Sequence, residues 1–326
     1  MRCKSRGALL AKAIHLNPIA PTPGLPLRPA RIVAAFGRSY LADTGVGEPL
    51  PCVARGKRSV AVCGDQVMLQ PGTPAVIASI LPRSNVLWRQ DAWRSKIFAV
   101  NLDLLLVVTA SEPAPNLELV GRALIAAQAE GIPAAVILNK CDLPSTPSLR
   151  AKLQPLQKAG YTVIELTARQ APAQATAILS TWLDGRTTML IGASGVGKST
   201  LVNALAPGVQ VHTQAISAAL NAGRHTTTAT RLYKLPGLGP GSALLDSPGF
   251  QAFGLNHLSV TQLQHALPEI AKLNGTCRFN NCTHRQEPGC AVRAAVEAGN
   301  LDASRYALYL RVLDELLGAS STKATP

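Results

Sequence analysis

Aromatic side chains are scarce, with Phe, Trp and Tyr together making 4% of the chain. Base stacking therefore cannot be the main term in any nucleic-acid contact it makes. No uncharged apolar run reaches the roughly 18 residues that a membrane-spanning helix needs. The stretch 102–109 is too short for one and reads as a buried strand. Acidic residues are also few, 18 Asp+Glu against 32 Lys+Arg, for a net charge of +14. The excess is uneven: residues 1–100 hold 14 basic and 4 acidic side chains, whereas residues 101–186 hold 7 of each. A basic N-terminal third points to a polyanionic partner, most simply nucleic acid. Seven cysteines in 326 residues are too sparse for a disulfide scaffold. Cys3, Cys52, Cys63 and Cys141 are scattered, which fits free thiols in a cytoplasmic protein. Residues 1–30 begin like a targeting peptide, but Lys12 and His15 break the apolar part. They are expected to form a basic disordered arm.

What is present centres on Gly192-Ala193-Ser194-Gly195-Val196-Gly197-Lys198-Ser199-Thr200. This is G-x-x-x-x-G-K-[ST], set between the β-prone run 187–191 and the helical pattern 201–205. Glycines let successive backbone N–H groups turn inward onto a polyphosphate, and the following helix aims its positive end at the same anion. Lys198 would reach the β/γ-phosphates and Ser199 would hold Mg²⁺.

The surrounding chain reads as several domains. Five prolines in residues 17–29 stop any helix or ladder. Residues 31–82 carry six short β-prone runs, including 59–62, punctuated by glycine. That pattern predicts a small barrel of the oligonucleotide-binding (OB) type. Arg55, Lys57 and Arg58 share one turn there and are candidate RNA contacts. Residues 83–101 are expected to be a basic connector whose Trp88, Trp93 and Phe98 pack rather than stack bases. From residue 102 to 254, strand and helix patterns alternate, which predicts an α/β domain with a mostly parallel sheet. Residues 255–326 form a last, helical domain.

Ligand loops belong at the carboxyl ends of such strands. Asn139-Lys140-Cys141-Asp142 follows the run AAVIL and has the form N-K-x-D. The Asp142 carboxylate can accept from guanine N1–H and the exocyclic amine. Adenine lacks that donor pair and would leave the carboxylate unpaired, which argues against an ATPase. Asn139 would hold the loop, and the Lys140 stem would cover the base. Thr167-Ala168 sits where a second base-contacting loop would. Asp246-Ser247-Pro248-Gly249 follows another strand pattern. Asp246 would bind Mg²⁺ through water, and the Gly249 N–H would meet the γ-phosphate. Upstream, Gly223-Arg224-His225-Thr226-Thr227-Thr228 is polar and led by glycine. Thr227 is the preferred Mg²⁺ ligand among the three threonines. Phe250 stands near where many GTPases carry a water-orienting glutamine, so intrinsic hydrolysis should be slow.

Near the C-terminus, Cys277-x4-Cys282-x-His284-x5-Cys290 offers three thiolates and an imidazole. Four such ligands suit one closed, structural Zn²⁺ site. Arg278 and Arg285 beside it are further candidate RNA contacts.

The motif order is unusual, because the base-reading N-K-x-D precedes the phosphate loop and D-x-P-G comes last. A sheet tolerates this when its original termini lay close together and became joined, here through residues 168–186. That order, with a barrel before it and a Cys/His cluster after it, resembles the circularly permuted GTPases of the RsgA/YjeQ family. The resemblance spans about residues 31–315 and implies a cytoplasmic, monomeric GTP hydrolase that acts in late maturation of the small ribosomal subunit. It implies contact with the subunit and its rRNA, stimulation of hydrolysis by the subunit, and a catalytic role for His225. GTP/GDP, Mg²⁺ and Zn²⁺ follow as cofactors, with no membrane partner. The competing expectation is an rRNA-binding assembly factor that uses nucleotide only as a conformational sensor.

Overall fold

A computed structural model describes residues 26–55, 61–91, 94–207, 230–246 and 254–318. Among these residues two compact units emerge, one made of those up to 61 with 65–82, the other of 62–64 with those from 83 onward.

The first unit is a five-stranded barrel. Its strands are β1 (Arg28–Phe36), β2 (Ser39–Asp43), β3 (Leu50–Ala54), β4 (Gln66–Gln70) and β5 (Ala75–Ile80). Pairing runs β1-β2-β3-β5-β4 and closes through β1 with β4. Only β3 and β5 run parallel. Alternate side chains point inward, so Ile32, Tyr40, Cys52, Val67, Leu69 and Ile77 fill the interior. The barrel is of the OB type that the sequence pattern predicts, with two corrections. β1 starts at Arg28, inside the stretch expected to be an arm, and residues 61–62 of the expected run 59–62 form no strand.

In the second unit, the expected connector 83–101 is instead an antiparallel hairpin, β6 (Val86–Asp91) with β7 (Arg94–Val100). Phe98 is buried, and the Trp88 ring lies 6.1 Å from the imidazole of His257. Packing thus accounts for these two of the three aromatics, and Trp93 lies outside the described residues. The sheet that follows contains β8 (Leu104–Ala110), β9 (Ala134–Asn139), β10 (Val163–Glu165), β11 (Thr187–Gly192), β12 (Arg231–Lys234) and β13 (Ala243–Asp246). Their order is β10-β9-β8-β11-β13-β12, all parallel except β12 against β13. Every residue of β8 and β11 is buried, as expected of a sheet covered on both faces.

Helix α1 (Leu117–Ala129) follows β8 and packs on β8 and β9. Helix α2 (Thr146–Lys158) joins β9 to β10. Helix α3 (Pro172–Leu183) and helix α4 (Lys198–Leu205) pack together with the other set of β8 side chains, Leu104, Leu106 and Val108. The chain therefore fills one side of the sheet outward from β8, returns through α3, and builds the other side from β11. Only residues 184–186 separate α3 from β11, and they are pinned: Gly239 N–H donates to Asp184, and Gly185 N–H donates to the Ser242 hydroxyl. This short, fixed segment completes the join that the motif order requires.

The C-terminal helices are α5 (Val260–His265), α6 (Pro268–Ala271), α7 (Ala291–Glu297) and α8 (Ala303–Leu316). They do not separate from the α/β domain, because α1 packs against both α5 and α8. Gly121 makes room for this. A Cβ there would lie 2.3 Å from Leu308 Cδ2. Arg122 donates to both carboxylate oxygens of Glu315 and, through Nε at 2.9 Å, to Glu118. Arg305, buried nearby, donates to Glu269 at 2.7 Å. Arg122 is buried, while Glu315 and Glu118 keep 31% and 42% of their side-chain surface exposed, so the carboxylates left by its removal stay partly hydrated. Arg122→Ala should therefore lower stability by about 2 kcal/mol, the loss of charged hydrogen bonds, and speed amide exchange in α8 more than in β8. Equal exchange in wild type and variant would show that the pair does not hold this joint.

Among the described residues, no helix is long and apolar enough to cross a membrane.

Candidate nucleotide and metal sites

The sheet brings the predicted loops to its carboxyl edge. β11 runs into the phosphate loop and α4 leaves it. Gly192 and Gly197 have positive φ, +155° and +99°. Here glycine is required twice over, since a Cβ would lie 2.3 Å from the Val108 carbonyl oxygen at the first and 2.2 Å from Asn139 Nδ2 at the second. Lys198 Nζ donates to the carbonyls of Gly192 and Ala193 at 2.8 Å each, so the ammonium lies across the loop. Burial holds its pKa below the usual ammonium value, and the Asp246 charge opposes that shift. Ser199 and Thr200 follow on the first turn of α4. Ala193, Ser194 and Gly195 form the outer curve, with Val196 tucked in at 3% exposure.

Asn139, at the end of β9, is 2% exposed and ties three loops together. Its Nδ2 donates to the Val196 carbonyl at 2.9 Å, inside the phosphate loop. Its Oδ1 accepts from the Ala168 N–H at 3.1 Å, inside the Thr167-Ala168 loop. One buried side chain thus fixes the N-K-x-D loop against both of the others. Lys140, at φ +60°, donates from Nζ to the Glu112 carbonyl at 2.9 Å. Asp142 lies exposed just beyond and accepts from Gln170 Nε2 at 2.9 Å. Asp246 ends β13, which runs parallel to β11 with Asp246 opposite Leu190. His225, Thr227 and Gly249 lie outside the described residues, as do Lys57 and Arg58.

Two contacts were not expected from sequence. The segment after β8, Ser111-Glu112-Pro113, lies beside the phosphate loop, and a Cβ on Gly195 would be 3.3 Å from Pro113 Cδ. It also meets Ser145, whose hydroxyl donates to Glu112 at 3.0 Å. Gln170 is the other, and its only sequence signal is its place three residues after Thr167.

Farther along the chain, Cys277, Cys282, His284 and Cys290 converge, with ligand atoms all within 4.8 Å of one another. His284 Nδ1 lies 3.6 Å from the Cys277 sulfur and 3.5 Å from that of Cys290. His284 is 3% exposed at φ +61°, a turn that aims its ring back at the sulfurs. Two backbone N–H groups point at sulfur, Ala291 at Cys277 and Arg293 at Cys290. N–H donation of this kind orients sulfurs that would share one metal ion. The donor set thus fits a closed tetrahedral Zn²⁺ site. The loop is braced from outside, as Tyr306 and Tyr309 hydroxyls donate to the His284 and Thr283 carbonyls at 2.6 and 2.7 Å. Arg55 and Arg278 are exposed, and the Arg278 guanidinium lies 5.5 Å from the Phe279 ring centroid. Arg285 is ion-paired with Asp314.

Taken together, the strand order, the joined termini and the loops at one sheet edge define a circularly permuted GTPase of the P-loop type. A family model described as RsgA GTPase matches residues 80–256. The chain belongs to the RsgA GTPase family. The small ribosomal subunit biogenesis GTPase RsgA of Bordetella pertussis is 50% identical over 287 residues, covering 87% of this chain and 95% of that protein. The protein of the same description from Paraburkholderia phytofirmans is 49% identical over 291 residues, covering 87% and 92%. Among solved structures, YjeQ from Thermotoga maritima superposes with a TM-score of 0.69 at 27% identity, covering 90% of this chain and 99% of that one. YloQ, described as a circularly permuted GTPase, shares the fold with a TM-score of 0.66 at 23% identity, over 90% and 96%.

Proposed function

We propose that this GTPase binds the small ribosomal subunit and its rRNA in the cytoplasm, acts as a monomer late in the subunit's maturation, and hydrolyses GTP faster when bound there. The observation that carries the nucleotide part is the Asn139 brace, which holds a base-reading loop and a phosphate loop in one rigid arrangement. In this reading Asn139, Lys140, Asp142, Thr167 and Ala168 surround guanine. Residues Gly192 to Thr200 wrap the phosphates, with Lys198 at the β/γ positions. Ser199, Thr227 and Asp246 would hold Mg²⁺, which neutralises phosphate charge when bound. Gly249 meets the γ-phosphate and His225 orients the attacking water. Cys277, Cys282, His284 and Cys290 would hold one Zn²⁺, whose contribution is to fix the loop and the start of α7.

The relatives' names support the ribosomal part, and so does the basic N-terminal third. Arg55, Lys57 and Arg58 in the N-terminal unit, and Arg278 and Arg285 beside the Cys/His cluster, are the proposed RNA contacts, with Arg285 exchanging Asp314 for phosphate. Co-sedimentation with purified subunits tests this. The chain loaded with a non-hydrolysable GTP analogue should pellet with small subunits and stay in solution with large ones. Equal recovery with both would contradict the assignment.

A further inference from the structure

We propose that Gln170 is a positioning residue for guanine selection: its amide sets the Asp142 carboxylate in the plane that a two-donor base edge requires. The inference rests on the reading that Asp142 accepts from guanine. A carboxylate only accepts, so the amide nitrogen must be what faces it, and Gln170 Nε2 lies 2.9 Å from Asp142 Oδ2. Both partners stand on fixed backbone. Cys141 N–H donates to the Leu166 carbonyl at 3.1 Å, and Ala168 N–H to Asn139 Oδ1 at 3.1 Å, so the two loops are stitched together on either side of the pair. Ala171 N–H donates to the Thr167 carbonyl at 2.9 Å, closing the turn that carries Gln170 just before Pro172 opens α3.

The terminal torsion of an aspartate is broad and two-fold, so an unheld carboxylate samples many planes. Guanine offers N1–H and an exocyclic amine and must find both oxygens at once. Hypoxanthine offers N1–H alone, and one oxygen meets it in many orientations. Holding Oδ2 in place therefore helps guanine more than hypoxanthine. The amide does not compete with the base, because a carboxylate oxygen accepts a second hydrogen bond. Gln170 thus raises selectivity without touching the nucleotide.

The full-length chain should be titrated calorimetrically with Mg²⁺ and GDP, inosine diphosphate or ADP, using wild type, Gln170→Leu and Gln170→Lys. Nucleotide-free melting temperatures check that the variants fold. For Gln170→Leu, GDP affinity should fall about five-fold, the cost of ordering one side chain on binding. Inosine diphosphate affinity should change less than two-fold. Gln170→Lys keeps a donor and should keep the wild-type ratio. An unchanged GDP-to-inosine ratio in Gln170→Leu, or equal losses for both nucleotides, overturns the inference and leaves the Asp142 reading intact. Wild type binding inosine diphosphate as tightly as GDP would defeat the Asp142 reading itself, and this inference with it.

Discussion

Asp142→Asn is expected to turn the protein from guanine toward xanthine nucleotides. An amide at this position presents one acceptor and one donor. Guanine's exocyclic amine would then face a donor, leaving two N–H groups opposed and unpaired. Xanthine carries a carbonyl in place of that amine and satisfies both amide atoms. GDP affinity should fall about 100-fold, since a site built to pair a polar group rejects a ligand that leaves it unpaired. Xanthosine diphosphate should gain a comparable amount. Gln170 can contribute to the switch, because its own amide can turn to face either end of the new one. Asn139 and the phosphate loop are untouched, so the change should be confined to base choice. Calorimetry with both nucleotides checks it. Equal loss for the two bases would mean that the loop, rather than the carboxylate, had been damaged.

Cys282→Ser should have the second large effect, and a different one. Three sulfurs and one imidazole nitrogen lie within 4.8 Å of one another. Around them hang Cys290, which caps the start of α7, and the carbonyls that Tyr306 and Tyr309 grip from α8. Structural Zn²⁺ in small Cys/His peptides contributes about 10–16 kcal/mol to folding at neutral pH. Weakening the site should therefore melt the loop 277–290 and loosen α7 and α8. Zinc content measured by elemental analysis should be one per chain in wild type and well below that in the variant. Amide exchange in α7 and α8 should rise by at least about 100-fold, because much of that folding energy is lost. GDP affinity should stay within about two-fold, as the nucleotide loops draw on other elements. A wild-type chain that holds no zinc yet protects α8 fully would refute this.

Both candidate sites are legible in the sequence, and the reason is physical. The loop 192–197 demands glycines where a Cβ would strike Val108 or Asn139, so its spelling is nearly forced. A closed Zn²⁺ site needs its thiolates and imidazole a few residues apart on tight turns, and 277–290 spells that as well. The parallel sheet is equally plain, because strands buried on both faces must be apolar throughout. The hairpin 86–100 is not legible in the sequence because its apolar residues fall in consecutive runs, 86–88 and 97–100, around a charged middle that reads as a basic linker. Contacts between distant residues are invisible in a different way. Gln170 meets Asp142 across 28 positions and Arg122 meets Glu315 across 193. Nothing local in either partner announces the other. The Thr167-Ala168 dipeptide carries little information by itself. It gains meaning only when the fold places the Ala168 N–H against Asn139.

GTP turnover by the purified chain, alone and with added small ribosomal subunits, tests the central claim most directly. ATP and large subunits serve as controls. With Phe250, and no glutamine, directly after the D-x-P-G motif in the sequence, turnover should be slow alone. It should rise at least about 100-fold with small subunits, a floor set below the roughly 10³–10⁵-fold by which a partner's arginine completes a GTPase site. ATP should not be hydrolysed, and large subunits should not stimulate. Turnover that is fast without subunits, or unchanged by them, would contradict the account.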